Sequence, residues 1–191
     1  MPMSLTLMSR RIARRFSRNQ RGVSAIEFAL IAPIMALFYA GSVELASTLL
    51  ADRKVTSAAA TMGDLVARLP AANNCEIDNV FDATGLIFEP YSSAGVRLRI
   101  SSIKPNAGTP TQMDVVWSYA NGDWTALTPG DTVTLPAGIM SADGSILMAE
   151  IEYTYSPPFN RVFQTDPTLT DVFYMRPRAT EELLFSTITC P

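Results

Sequence analysis

Glu150 and Glu152 alternate along a strand-like run, so both carboxylates leave one face. Paired carboxylates of that kind could share acid–base work. Asp114, Asp123, Asp131 and Asp143 are further acids, scattered near turn signals. In an acidic chain, such acids read first as solvated surface. The chain has no histidine, which excludes Ser-His-Asp and Cys-His centres and every His-ligated metal site. Two cysteines, Cys75 and Cys190, are too few for a four-thiolate zinc site. No P-loop, dinucleotide fingerprint or D-x-D-x-D-G calcium loop occurs. Trp117 and Trp124 read as core or cross-strand partners rather than a sugar platform. Arg176-Pro177-Arg178 is an anion or carboxylate binder in principle, and an exposed strand end in the plainer reading. The sequence thus points away from an enzyme and implies no cofactor, no metal and no small-molecule substrate.

The charge that matters is at the other end. Arg10, Arg11, Arg14, Arg15, Arg18 and Arg21 fall in residues 1–22, which hold no acid. The remainder holds all 18 acids against nine of the 15 bases, a formal −9 that the net charge of −3 conceals. A basic head could be a nucleic-acid arm. The next stretch argues otherwise: it reads VSAIEFALIAPIMALFYAGSVELASTLLA, in which only Glu27 and Glu44 are charged. A basic segment directly before an apolar run of this length is a membrane-orientation signal, and it places the N-terminus in the cytoplasm. No small-x-small site comes closely enough after the apolar core for a cleaved secretory signal. Glu27 and Glu44 are about 26 Å apart along a helix, which would put them near opposite edges of the hydrocarbon core.

Ala25, Ala29, Ala32, Ala36 and Ala40 recur at helical steps and make one ridge of small side chains. Such a ridge lets two helices approach closely in lipid, although alanine is also simply frequent in apolar helices. Pro33 lies inside the span and removes one helix hydrogen bond. Val55, Ala59, Met62, Val66 and Leu69 continue the helical period as a narrow stripe, with Asp52, Arg53, Lys54, Asp64 and Arg68 mainly elsewhere. Pro70 and Asn73-Asn74 end it. One rod over 23–69 is about 70 Å long, and its second half should pack on an outer domain.

Past Pro70, Ile77, Val80, Phe81 and Leu86-Ile87 predict a short helix or helical turn. Strand-like runs come next at 96–103, 113–119 and 145–155, with shorter ones at 160–165 and 170–176. Asn121-Gly122, between Tyr119 and Trp124, predicts a hairpin, and Asp143-Gly144 another turn. The expected fold is α+β: a long N-terminal helix with a four- or five-stranded antiparallel sheet against it. The expected division is a basic cytoplasmic leader at 1–22, a transmembrane helix at 23–51, an extramembrane continuation at 52–70 and an α+β domain at 71–191. Outside the cytoplasm two lone thiols usually pair, so Cys75–Cys190 is expected as a bridge, against free or intermolecular thiols.

The junction Arg21-Gly22-Val23-Ser24-Ala25-Ile26-Glu27-Phe28 carries a more specific pattern. A basic leader ends in Gly, and an apolar helix begins at once with Glu fifth and an aromatic sixth. This resembles the processing site of type IV prepilins and pseudopilins. The wider stretch GVSAIEFALIAPIMALFYAGSVELA is similar to the TadE-like family of the tight-adherence (Flp-type IVb) pilus system, as are Tyr174-Met175-Arg176-Pro177-Arg178 and the near-terminal Cys190. The resemblance implies a pilin-like ladle, cleavage by a prepilin peptidase after Gly22, and residence in the bacterial inner membrane with a periplasmic domain. It further implies other pilins or pseudopilins and the pilus assembly platform as partners, and no nucleic acid. It gives Glu27 a role in pairing with the freed amine of a neighbouring subunit. Pairing with the amine of its own Val23, or merely marking the membrane edge, are equally compatible with the spacing. Beside a pseudopilin stand two other classes: an unprocessed single-pass periplasmic binding or adhesion protein, and a membrane-tethered enzyme, which the missing motifs disfavour.

Overall fold

A computed structural model describes residues 22–106, 108–109, 112–122, 124–136, 138–139, 144–159 and 165–190. Helix α1 spans Val23–Ala67 without interruption and runs through Pro33. Its two halves have different surroundings. From Val23 to Val43 no residue is buried, whereas Glu44, Thr48, Ala51, Val55, Ala58, Ala59, Met62 and Val66 all are. Those eight recur at steps of three and four, with one adjacent pair, and so make the single stripe that a helix presents to a sheet.

After α1 the chain forms β1 (Ala72–Asn73), α2 (Asn74–Gly85) and two 3₁₀ turns at Leu86–Phe88 and Ser93–Gly95. Asn73 caps α2: its side-chain oxygen accepts from the Glu76 amide at 2.9 Å, and its side-chain amide donates to the Glu76 carboxylate. This reciprocal pairing satisfies a backbone donor that the helix start leaves open. Strands β2 (Val96–Pro105), β3 (Met113–Ala120), β4 (Thr132–Val133), β5 (Ile146–Thr154) and β6 (Thr168–Met175) build one antiparallel sheet in the order β4-β3-β2-β5-β6. The fold is α+β, as the periodicities predict.

One face of the sheet meets α1. Leu98 and Ile100 of β2 and Leu147, Ala149 and Ile151 of β5 are buried in one cluster with the helical stripe. The approach is close because the stripe is small. A Cβ on Gly63 would lie 3.4 Å from the Phe173 ring and 3.5 Å from Ala149. The opposite face carries a second apolar cluster of Ile103, Met113, Val115, Leu135, Ile146 and Met148. A register shift on β3, where Val116 is the extra residue between Trp117 and Val115, turns the β3 alternation so that Trp117 faces α1 while Val115 and Met113 join that cluster.

Several expectations are corrected. The helix stops at Ala67, two residues short of 69, and Leu69 is only half-buried. Asn121-Gly122 does turn, with Gly122 at φ 59°, yet Trp124 starts no strand. Asn121 stays on β2 instead. Its backbone amide donates to the Leu98 carbonyl, and its side-chain oxygen accepts from the Leu98 amide at 2.7 Å. The chain rejoins β3 only at Gly130 and Asp131, through bonds to Val115. Residues 160–164 and Asp143 lie outside the described residues. A small parallel pair, β1 with β7 (Phe185–Ser186), is an element that periodicity did not suggest.

Candidate functional site at the helix junction

The residues singled out for processing and assembly all lie on the bare half of α1. Gly22 is its N-cap, with φ −86° and ψ −16°. That is a right-handed conformation open to any residue. A Cβ added there meets nothing within 4 Å among the described residues. The fold therefore does not require glycine at this position. Val23, Glu27 and Phe28 are exposed, Phe28 to 72%. Along this half Ile26, Leu30, Leu37 and Phe38 are also each more than three-fifths exposed. A surface of that kind is costly in water and stable in hydrocarbon. The helix is long and apolar enough to cross a membrane, and none of its most apolar window is buried. Ala25, Ala29 and Ala36 are exposed and Ala32 and Ala40 half-buried, all on this bare rod.

Glu44, expected near one edge of the hydrocarbon core, stands where the bare segment ends. It is wholly buried, at the first position where the sheet domain covers α1. Thr48 closes beside it, donating its hydroxyl to the Glu44 carbonyl at 2.9 Å. The covered half of the rod thus begins at Glu44.

The carboxylates that suggested acid–base chemistry are already neutralised. Glu150 receives both Arg99 Nε at 2.7 Å and Arg99 Nη2 at 2.8 Å, a two-pronged pair that is mostly buried. Glu152 is paired with Arg97 on the same neighbouring strand. Arg99 also donates to the Thr125 carbonyl and stacks 4.5 Å from the Trp124 ring centre. Asp114 accepts from the Asn106 side-chain amide, and Asp131 from the Thr128 backbone amide. Asp123 lies outside the described residues. Among those described, no three metal-ligating side chains come together.

Arg178 is not a free anion binder. Its guanidinium meets Asp64 at 2.7 Å and its backbone amide donates to the Ala67 carbonyl at 2.7 Å, so it pins the chain just past β6 to the end of α1. A disulfide joins Cys75 to Cys190, 115 residues apart in sequence. It closes a C-terminal strap whose other fastenings sequence reading missed. Trp117 Nε1 donates to the Leu183 carbonyl at 2.6 Å, and Phe185 stacks on Trp117. Asn74 exchanges hydrogen bonds with the backbone of Ile188. Beside Cys190, the sequence signal for the strap is the apolar Leu183-Leu184-Phe185 run. Tyr119 also donates to the Asp78 carboxylate at 3.0 Å. Burial, and then that carboxylate, raise its phenol above the usual range.

No curated protein and no solved structure matches the chain. Residues 22–62, which hold Gly22, the bare half of α1 and most of its packed half, match the family of TadE-like proteins.

Proposed function

We propose that the chain is a non-enzymatic, membrane-anchored pseudopilin-like component supporting assembly of tight-adherence (Flp) type IV pili. The observation that carries this reading is one continuous helix, bare over Val23–Val43 and buried along one stripe from Glu44 onward, over the residues that match the TadE-like family. The bare segment has 21 residues, about 31 Å at 1.5 Å per residue, which suits a hydrocarbon core of about 30 Å. Arg10 to Arg21 favour an N-terminus on the cytoplasmic side of the bacterial inner membrane, with the sheet domain and its Cys75–Cys190 bridge in the oxidising periplasm.

In this reading a prepilin peptidase cuts after Gly22. A glycine that the fold does not need, at the end of an exposed apolar helix, is what such a peptidase would read from outside the chain. Glu27 then answers the freed amine of Val23 on a neighbouring subunit, and the alanine ridge from Ala25 to Ala40 packs against other pilins or the assembly platform. The test is the N-terminal residue of protein extracted from the membrane. Val23 supports the pseudopilin. An intact leader supports the other candidate, an unprocessed single-pass binding or adhesion protein of the periplasm.

A further inference from the structure

The span and the outer domain share one rigid helix, with nothing between them that can bend away. No glycine or proline occurs from Ser42 to Met62. The domain begins to cover α1 at Glu44, immediately after the bare segment ends. On the uncovered side the surface stays uncharged for longer. After Glu27 the first exposed charge on α1 is Asp52, and Leu45, Leu49 and Leu50 are each more than half exposed. Residues 28–51 thus present about 36 Å of uncharged helix surface, more than the hydrocarbon core needs, and the surplus lies beside the domain.

The lower end of the domain can be placed on this scale. The strands run along α1: Ala149 is near Gly63, while Tyr153, further along β5, packs on Phe88 in the turn whose neighbouring carbonyls of Ile87 and Glu89 accept from Lys54. Tyr91 reaches lower still, its hydroxyl 3.5 Å from the Ser47 carbonyl. Ser47 is four residues past Val43, about 6 Å, which is the depth of the headgroup layer on one side of a bilayer. Tyr155 meets Tyr91 edge-on, and Lys54 Nζ sits 5.9 Å from the Tyr91 ring centre. Beyond Tyr155 the exposed Phe159 continues past the end of β5. Tyrosine with a lysine above it, and apolar side chains below, is the composition that suits a membrane interface.

We infer that the base of the outer domain is seated in the lipid headgroup layer of the bilayer that holds α1, with Leu45, Leu49, Leu50, Tyr91 and Phe159 as the contacting side chains. This rests on α1 being a membrane span. The occupant is lipid because the patch is continuous with the span on the same rod. The sheet domain is then held at a fixed height and cannot swing clear of the membrane.

The experiment uses the full chain in nanodiscs, with its disulfide intact and one fluorophore attached to an introduced cysteine. Leu37→Cys reports the span, Phe159→Cys the base, and Thr132→Cys the far end of the sheet, where β4 pairs with Met113 and Asp114. Ser92→Cys, an exposed position beside Tyr91, replaces Phe159→Cys if that variant does not fold. Lipids carrying a spin label just below the headgroup act as quencher, and iodide probes water access. Strong lipid quenching at Leu37→Cys and Phe159→Cys, several-fold above Thr132→Cys, supports the inference. Quenching at Leu37→Cys with Phe159→Cys no more quenched than Thr132→Cys overturns it and leaves the span intact. A Phe159→Cys label shielded from both lipid and iodide also overturns it, because a second protein copy then covers the base. An unquenched Leu37→Cys label overturns the span itself, and the inference with it.

Discussion

Trp117 and Leu183, 66 residues apart, are joined by an indole-to-carbonyl hydrogen bond of 2.6 Å inside the core. The bond fastens a C-terminal strap to β3, within the same buried cluster that holds the stripe of α1. Phe185, stacked on Trp117 and tilted against Tyr119, extends the contact. The strap then pairs β7 with β1 and ends in the Cys75–Cys190 bridge.

Cutting that bridge should loosen the strap without dissolving the sheet. Cys75→Ser and Cys190→Ser each release a loop of more than a hundred residues, and the chain-entropy view puts the loss at up to about 5 kcal/mol. Denaturant titration of detergent-extracted protein should show this fall. Hydrogen exchange should rise first in 183–190 and at the start of α2. Unchanged stability together with two free thiols in untreated protein would mean that the bridge is not formed.

Gly63 tests how closely α1 sits on the sheet. A methyl group there meets Phe173 and Ala149 at ordinary contact distance, and alanine gains about 1 kcal/mol of helix propensity over glycine. Gly63→Ala is therefore expected to be neutral or mildly stabilising. Gly63→Leu has no room and should cost about 1–3 kcal/mol. Thermal unfolding of the pair checks the ordering.

The two cross-strand ion pairs should differ. Arg99 and Glu150 are 15% and 13% exposed, so Arg99→Met leaves a largely desolvated carboxylate and should cost about 2–3 kcal/mol. Arg97 and Glu152 are more open, and Arg97→Met should cost under about 1 kcal/mol. Adding Glu150→Gln to Arg99→Met should recover part of the loss. A double-mutant cycle measures each coupling.

Alkaline pH should unfold the domain through its tyrosines. Burial raises the phenols of Tyr91, Tyr119, Tyr153 and Tyr174, and neighbouring Tyr155 (at Tyr91 and Tyr153), Asp78 (at Tyr119) or Glu150 (at Tyr174) adds to it. A phenol raised on folding holds its proton longer in the native state than in the unfolded chain. Its contribution is therefore complete below the ordinary phenol value of about 10, and it is lost as pH rises through the native value. Stability should fall above that pH, and Tyr119→Phe should flatten the slope. The midpoint of denaturant unfolding, tracked against pH, reads both.

The junction variants separate cleavage from recruitment. Replacing Gly22 by a bulky residue should block processing without lowering stability, since a Cβ there meets nothing within 4 Å among the described residues. Glu27→Ala should insert at least as well as the natural chain, because it removes a carboxylate from an apolar span. It should nevertheless reduce surface pili at normal protein level. Mass spectrometry of the mature N-terminus and counting of pili distinguish the two. Normal pili in Glu27→Ala cells would remove the proposed role of that carboxylate.

Much of the architecture is local and so was readable along the chain. The stripe at Val55, Ala59, Met62 and Val66 is buried because 3.6-residue periodicity places those side chains on one face whatever they meet. The alternation of Leu98 and Ile100 with Arg97 and Arg99 likewise determined which face of β2 is dry. The Gly22 junction was legible because a motif needs only adjacent residues.

What tertiary structure decided is where non-neighbours meet. Glu44 looks like a membrane-edge charge in sequence, and packing makes it the first buried residue of the covered helix. Asn121 carries a hairpin signal, and β2 captures its side chain before a tight return strand can form. Glu150 and Glu152 share a face in sequence, but only the pairing of β5 with β2 brings Arg99 and Arg97 against them and neutralises them. Periodicity sets which way a side chain points. The partner it finds depends on strand order and on loops closed over tens of residues, and their free energy belongs to the whole fold.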